Sequence, residues 1–412
     1  MHEATAENAL PSRFGTYRAL QHRDFRLLWI GLVVSAVGTW MQIVAQAMLV
    51  LKLTNGSAVA LGIVSLAQAS SFFLFALAGG SLADRIDRRQ LLLITQSISA
   101  TLAILLGVLT AGGVIRVWMI VVLAFLSGAV LSFDQPARGA LVSSLVPHEH
   151  LMNAISLQTM VFNGASMLGP VLAGLSLRKF GFAGNFFLNG ASYLGVLLAL
   201  FAMRLPPSAR QAEDTSAAIR DGLRIIRHDS ALPWVLSGYA ALLFFGPSPA
   251  LVLPVYAVTV LHVGPERLGL LFSCVGAGTI AGALTLASLP GDAGKGRLYF
   301  TGVFLWVSAL AIFAVSRSFW ISMLALLLFG AGQNFAGTTS ITLLQTRVAR
   351  HQRGRAMSFN TLLVMGLRPL GDFPAGTLIA FIGASETVLL SAGVVAAYLS
   401  FLWLTKPVIR SV

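Results

Sequence analysis

Gly80-Ser-Leu-Ala-Asp-Arg-Ile-Asp-Arg-Arg89 is a dense run of charge in a 412-residue chain with only 10% charged residues. It lies between two long apolar stretches, at about 59–82 and 91–110. Charge at such a junction marks a membrane edge. An apolar run of roughly 20 residues crosses the hydrocarbon, and the flanking charges stay with headgroups and water. The whole composition agrees. Hydrophobic residues make up 56% of the chain and mean hydropathy is +0.81, against about 45–50% apolar and about 25% charged residues in soluble domains. Forty glycines suit a membrane bundle, where small residues let helices approach closely.

Working outward from that loop, apolar runs fall at about 27–51, 59–82, 91–110, 118–133, 153–177 and 185–203. A polar stretch, 205–230, follows, and six more runs lie at 232–261, 268–289, 298–315, 319–341, 357–381 and 387–404. The fourth run is short and is expected to continue through Pro136. The expected fold is all-α and integral to the membrane, with twelve transmembrane helices in two pseudo-symmetric six-helix halves. The divisions are an arm (1–26), a first half (27–204), a linker (205–231), a second half (232–405) and a tail (406–412).

Charge sets the orientation. Of 28 Lys and Arg, 21 fall on the side carrying both termini, and six (Lys52, Arg116, Arg178, Lys179, Arg267, Arg317) fall opposite; Arg368 is left inside a span. The positive-inside rule then puts both termini in the cytoplasm. The first 26 residues are polar and basic, and the first apolar run is too long for a signal-peptide core, so no cleavage is expected. The net charge of +13 is spread over many short loops, which argues against nucleic acid. Cys274 is alone, which excludes an intramolecular disulfide.

The chain also repeats itself. A shift of 202 residues superposes Ala154 on Ala356, Ser156 on Ser358, Gly164 on Gly366, Gly169 on Gly371, Gly174 on Gly376 and Gly181 on Gly383, and upstream Gly128 on Gly330. Halves duplicated in parallel, with a solute site between them near the midplane, are a known transporter architecture.

Several residues could carry chemistry. Asp84, with Arg85, Arg88 and Arg89 beside it and Gly80 before it, sits at an edge where acid and guanidinium can form strong bidentate bonds. The group reads as a gate latch or as plain anchoring. Arg368 and Asp372 share a face halfway along the eleventh span, where ionisable groups are expensive. They read as a proton or substrate site, or as a self-neutralising pair. Asp134 stands before Pro136 and four residues from Arg138, fit for edge structure or coupling. Gly246-Pro-Ser-Pro249 and Pro254 should break the seventh helix, because proline removes backbone donors. Trp40, Gln42 and Gln46 in the first span, and Gln333 and Asn334 in the tenth, could line a solute pathway or bond helix to helix.

The loop pattern Gly-x-Leu-Ala-Asp-Arg followed by Arg-Arg resembles the loop between the second and third helices of the major facilitator superfamily. The stretch from Ala19 to Trp29 resembles the bacterial branch containing the enterobactin exporter and macrolide-efflux-type proteins. So do Gly38-Thr-Trp-Met41, Asp134-Gln-Pro-Ala-Arg138, Leu168-Gly-Pro170 with Gly174, Leu253-Pro-Val-Tyr256 and Arg353-Gly-Arg-Ala-Met357. The resemblance covers about 17–405. It implies a monomeric secondary transporter of the bacterial inner membrane, exporting a small amphipathic or hydrophobic solute of drug or siderophore type by proton antiport. Two departures stand out. The fourth span lacks the intramembrane arginine associated with proton coupling in many drug antiporters, and Ala165 replaces a glycine of the fifth-span motif.

Enzyme chemistry has no support. Gly291 to Gly296 has the wrong spacing for a phosphate loop, and no Gly-x-Ser-x-Gly or His-Glu-x-x-His occurs. His148-Glu-His150 reads as a solvated loop rather than a metal site. No cofactor or metal is expected; the expected partners are a small-molecule substrate, protons and membrane lipid. An uncoupled facilitator or importer, or a sensor or assembly protein on the same scaffold, remains the alternative.

Overall fold

The computed structural model describes residues 15–203, 215–289, 294–349 and 352–410, and within them the side chains of all but 15–17, 77–85 and 215–220. A 3-10 turn, Gly15–Gln21, leads into α1 (Arg23–Leu53), α2 (Ala58–Arg85), α3 (Arg88–Ala111), α4 (Val117–Leu145) and α5 (Leu151–Ala202). α6 (Thr215–His228) occupies the linker. Then come α7 (Leu232–Phe245), α8 (Pro249–Thr259), α9 (Pro265–Ser288), α10 (Lys295–Val315), α11 (Phe319–Arg347), α12 (Arg353–Ile382), α13 (Ala384–Thr405) and the short α14 (Pro407–Arg410).

These helices make twelve spans in two halves of six. α5 is two spans end to end, parted at Gly181, whose φ of 67° leaves the helix. α7 and α8 are two pieces of one span, broken at the expected Gly-Pro-Ser-Pro stretch. α4 runs through Pro136 to Leu145, so the fourth span is longer than its apolar run. α3 begins on Asp87, whose side chain accepts from the Gln90 N–H at 3.0 Å, an N-cap that the Asp-x-x-Gln spacing could have revealed.

The repeat is built into the backbone. Gly181 and Gly383 (φ 93°) both turn the chain after the fifth span of a half, at a left-handed φ that strains any side chain. Gly128 packs α4 against the Gln68 backbone of α2, and Gly330 packs α11 against that of Val275 on α9. The same pair of spans therefore crosses at the repeated glycine in each half.

Buried apolar residues form two clusters. One is confined to the first half near the end that carries the termini, and includes Phe25, Leu28, Leu92, Leu141, Leu157 and Leu200. The other joins Val44, Leu61, Ile120 and Phe186 of the first half to Leu251, Leu271 and Trp306 of the second. The halves thus share a core at the distal end and part at the terminal end. The crossings between them agree. A Cβ on Gly174 of α5 would lie 2.7 Å from the Glu266 Cα of α9, and one on Gly276 of α9 would lie 2.9 Å from Met167 of α5. Gly164, further toward the terminal end, has open space around it. The contacts of α5 with α9 thus thin out toward the terminal end, while Phe73 of α2 still reaches Gly366 of α12. The outer wall is apolar, with Phe304, Trp320, Phe381 and Leu404 at least 75% exposed, as a lipid-facing surface requires.

Candidate transport site

The site grows from the break in the seventh span. Pro247 and Pro249 cannot donate backbone hydrogen bonds, so α7 ends at Phe245 and α8 starts afresh. A new helix start exposes unpaired N–H groups and the positive end of a dipole. Ser248 caps it, its Oγ accepting from the Leu251 N–H at 3.2 Å. The Ser248 N–H then donates to Asp372 Oδ1 at 2.9 Å, and its hydroxyl donates to Oδ2 at 2.8 Å. Asp372, only 3% exposed, therefore seats its carboxylate on the N-terminus of α8. Gly371 lets α12 close onto the Phe244 carbonyl.

The first half completes the site. Ser65 of α2 lies close enough to act on the same carboxylate. Gly62 brings α2 against α12, where a Cβ would sit 3.1 Å from the Asp372 carbonyl oxygen. α8 also packs against α1. Asp372 thus joins the eleventh span, the broken seventh and, across the seam between halves, the second.

Arg368 and Asp372 share a helix face but form no ion pair within 4.0 Å. The Arg368 charge still acts on Asp372, but each side chain turns to a different helix for its hydrogen bonds. Gln333 Oε1 of α11 accepts from Arg368 Nη2 at 2.6 Å and Nη1 at 3.1 Å, with the amide turned so that its oxygen faces the guanidinium.

The other pathway residues divide. Gln42 Oε1 accepts from Asn189 Nδ2 at 2.7 Å, which bonds the first span to the sixth. Trp40 meets Phe162 edge-on at 5.8 Å between ring centroids. Asn334 Oδ1 accepts from Thr338 of its own helix at 3.4 Å. Gln46 is half-buried, with no hydrogen bond among the described residues.

Asp134 is filled by its own half. It pairs with Arg138 and accepts from Thr95 Oγ1 at 3.0 Å and Gln96 Nε2 at 2.6 Å, which ties α3 to α4. In the charged loop, Arg88 donates to the Ala140 carbonyl at 3.1 Å, and Arg89 donates to those of Leu200 and Phe201 at 2.7 and 3.0 Å. Both arginines hold helix ends together within the first half. Gly80 lies within α2, and the side chains of Asp84 and Arg85 are outside those described.

Three contacts escaped the sequence reading. His150 is not simply solvated: its Nδ1 lies 2.9 Å from His22 Nε2, pinning the chain before α1 to the start of α5. Arg178 and Glu266 form an ion pair of 2.9 Å across the distal seam. Asp229, just before α7, accepts from the N–H groups of Ala231 and Leu232 at 2.8 and 2.9 Å and from Arg347 Nε at 2.9 Å. Partial burial pushes the Asp229 carboxyl up, but those N–H groups and the Arg347 guanidinium outweigh it and hold the group below its ordinary 3.8. No group of three or more His, Cys, Asp or Glu suited to a metal occurs among the described residues.

Comparison with known proteins places this architecture. Residues 14–411 match the model of a family described as transmembrane secretion effector. The chain is 25% identical over 377 residues to the enterobactin exporter EntS of Citrobacter koseri, covering 90% of this chain and 88% of that protein. It is 26% identical over 341 residues to the staphyloferrin A transporter of Staphylococcus aureus, covering 82% and 84%. Among solved structures, a bacterial homologue of the iron transporter ferroportin in its inward-facing state superposes with a TM-score of 0.70 at 17% identity, covering 92% of this chain and 99% of that one. The nucleoside transporter NupG gives 0.70 at 12% identity, covering 93% and 99%.

Proposed function

The chain belongs to the transmembrane secretion effector family of the major facilitator superfamily, and from that membership we propose the following cycle for this multi-pass membrane transporter. It carries a small amphipathic or hydrophobic solute of drug or siderophore type out of the bacterial cytoplasm by alternating access, in exchange for protons. The halves 27–204 and 232–405 rock about the central site as access changes sides. The excess of basic residues at the terminal end supports reading that end as cytoplasmic in a protein of the inner membrane. The halves share their core at the distal end, so the conformation reads as inward-facing, the state in which an exporter takes its load.

One observation carries the reading: Asp372 is bound by the broken seventh helix at the place where Gly62 brings the opposite half against α12. A carboxylate grips such donors best when ionised. Asp372 takes its proton from outside in the outward-facing state and gives it up to the cytoplasm in the inward-facing one, where the ionised carboxylate takes the two Ser248 bonds. Proton release inside and uptake outside then alternate with solute loading inside and release outside, which is exchange. Arg178 and Glu266 close the outer mouth above it. EntS, an exporter by name, supports the direction.

Mass spectrometry of cells and medium, with and without the protein, tests the reading. A solute should accumulate inside cells lacking the protein, and a protonophore should reproduce that retention in cells that have it. An unchanged distribution of solutes would refute export.

A further inference from the structure

Arg368 carries a charge that no direct ion pair meets among the described residues, although it acts at longer range on Asp372. Arginine stays protonated under all physiological conditions. Among the described residues no carboxylate lies within ion-pair distance of it. Asp372 is one turn away on α12, and both its oxygens are taken by Ser248. The acceptor that Arg368 does have, Gln333 Oε1, is neutral. Its Nε is buried with no acceptor among the described residues. Tyr239 of α7 is near enough to feel the guanidinium, yet a phenol brings no counter-charge.

Charged groups at this depth face a partner or a water-filled cavity. Arg368 is half-buried and lies one turn from Asp372 toward the terminal end. Gln333 occupies the edge between the two Nη atoms and so fixes the plane of the guanidinium. The Nε–H, which has no acceptor among the described residues, and the Nη hydrogen beside it remain, the second edge of the guanidinium, in the fork geometry that suits two oxygens of one anion.

We propose that Arg368, oriented by Gln333, anchors an anionic group of the transported solute, a carboxylate or a similarly compact oxyanion. The solute class is therefore amphipathic acids rather than neutral or cationic amphiphiles. The proposal rests on the export reading for the direction of movement, whereas the site itself can be tested by binding alone.

The probes are 1-pyrenebutyric acid, its methyl ester and 1-pyrenemethylammonium, which share one ring system. Fluorescence polarisation on the purified full chain should show the acid bound more tightly than either analogue. Arg368→Gln should weaken the acid roughly 30-fold, the loss expected when one partner of a desolvated charge pair is removed, and leave the analogues unchanged. Arg368→Lys should retain part of the affinity, since it keeps the charge and loses the planar fork.

Gln333→Glu guards against a simple folding defect. It supplies the missing counter-charge from within, so it should abolish preference for the acid while raising the melting temperature. Equal affinity for acid and ester in the unaltered protein would overturn the proposal. So would Arg368→Gln or Gln333→Glu proteins that still prefer the acid. A protein that binds the acid through Arg368 yet exports nothing would keep the anion site and refute the export reading instead.

Discussion

Replacing Asp372 by Asn keeps the shape of the side chain and removes its charge. The carboxylate takes two bonds from Ser248, at 2.9 and 2.8 Å. Hydrogen bonds to a charged group contribute about 1.5–3 kcal/mol each, and neutral ones about 0.5–1.5. Asn can still accept from the Ser248 N–H and donate to its hydroxyl oxygen, so only the difference is lost, about 2–3 kcal/mol for the two. Both bonds lie within the second half, between α12 and the start of α8, so they bear on the distal seal only where α8, which packs against α1, leaves α12 as the distal end opens; the balance between inward- and outward-facing states then shifts roughly 30- to 150-fold toward outward-facing. Spin labels at Lys179 and Arg267, in a Cys274→Ser background, flank the Arg178–Glu266 pair at the distal seam. Double electron–electron resonance should give a single short distance for the parent and a second, longer population for Asp372→Asn. An identical, single short distance in both proteins would refute the role of Asp372 in the seal.

The seam between α5 and α9 predicts that Gly174→Val, whose Cβ would lie 2.7 Å from the Glu266 Cα, leaves insertion intact, costs about 1–3 kcal/mol through overpacking and opens the distal end to a membrane-impermeant thiol reagent in a labelled variant. Gln42→Leu breaks the bond to Asn189 and should cost about 1–3 kcal/mol in stability while leaving solute selectivity unchanged; an altered selectivity would return Gln42 to the pathway. The Asp229 carboxyl is held below its ordinary 3.8, so its stabilising contribution is complete at neutral pH and is lost as pH falls through the lowered value. Thermal melts should therefore show Asp229→Asn less stable than the parent at pH 7, the gap narrowing toward pH 3.

Much of the fold is legible because each span is a long apolar run and the repeat fixes the register. α12 shows the value of the second signal. Its charged residues and two prolines keep it out of the helices that are apolar enough to span by composition alone, yet the match of Gly181 to Gly383 places it. The break at Gly246 to Pro249 is legible for a local reason, the missing donors of proline. Asp372 also stands out in the repeat, for the equivalent position in the first half is Pro170. Its partners do not stand out. Ser248 lies 124 residues away, and Ser65 is one serine among many in apolar helices. Which face of a span meets which neighbour depends on packing that one sequence does not display. Gln42 and Gln333 illustrate this: both are glutamines at span depth, one bonding helix to helix and the other turned to a charge. His22 and His150 pair through a contact 128 residues apart in sequence, equally invisible to local pattern.

The claim that export is exchanged for protons through Asp372 is tested most directly in proteoliposomes, using the solute that cells lacking the protein retain. With purified parent protein, an imposed pH gradient should drive the solute uphill, and collapsing the gradient should release it. Asp372→Asn should lose uphill movement and keep downhill exchange of labelled for unlabelled solute. Uphill movement by Asp372→Asn equal to that of the parent, or flux in the parent indifferent to the gradient, would contradict the account.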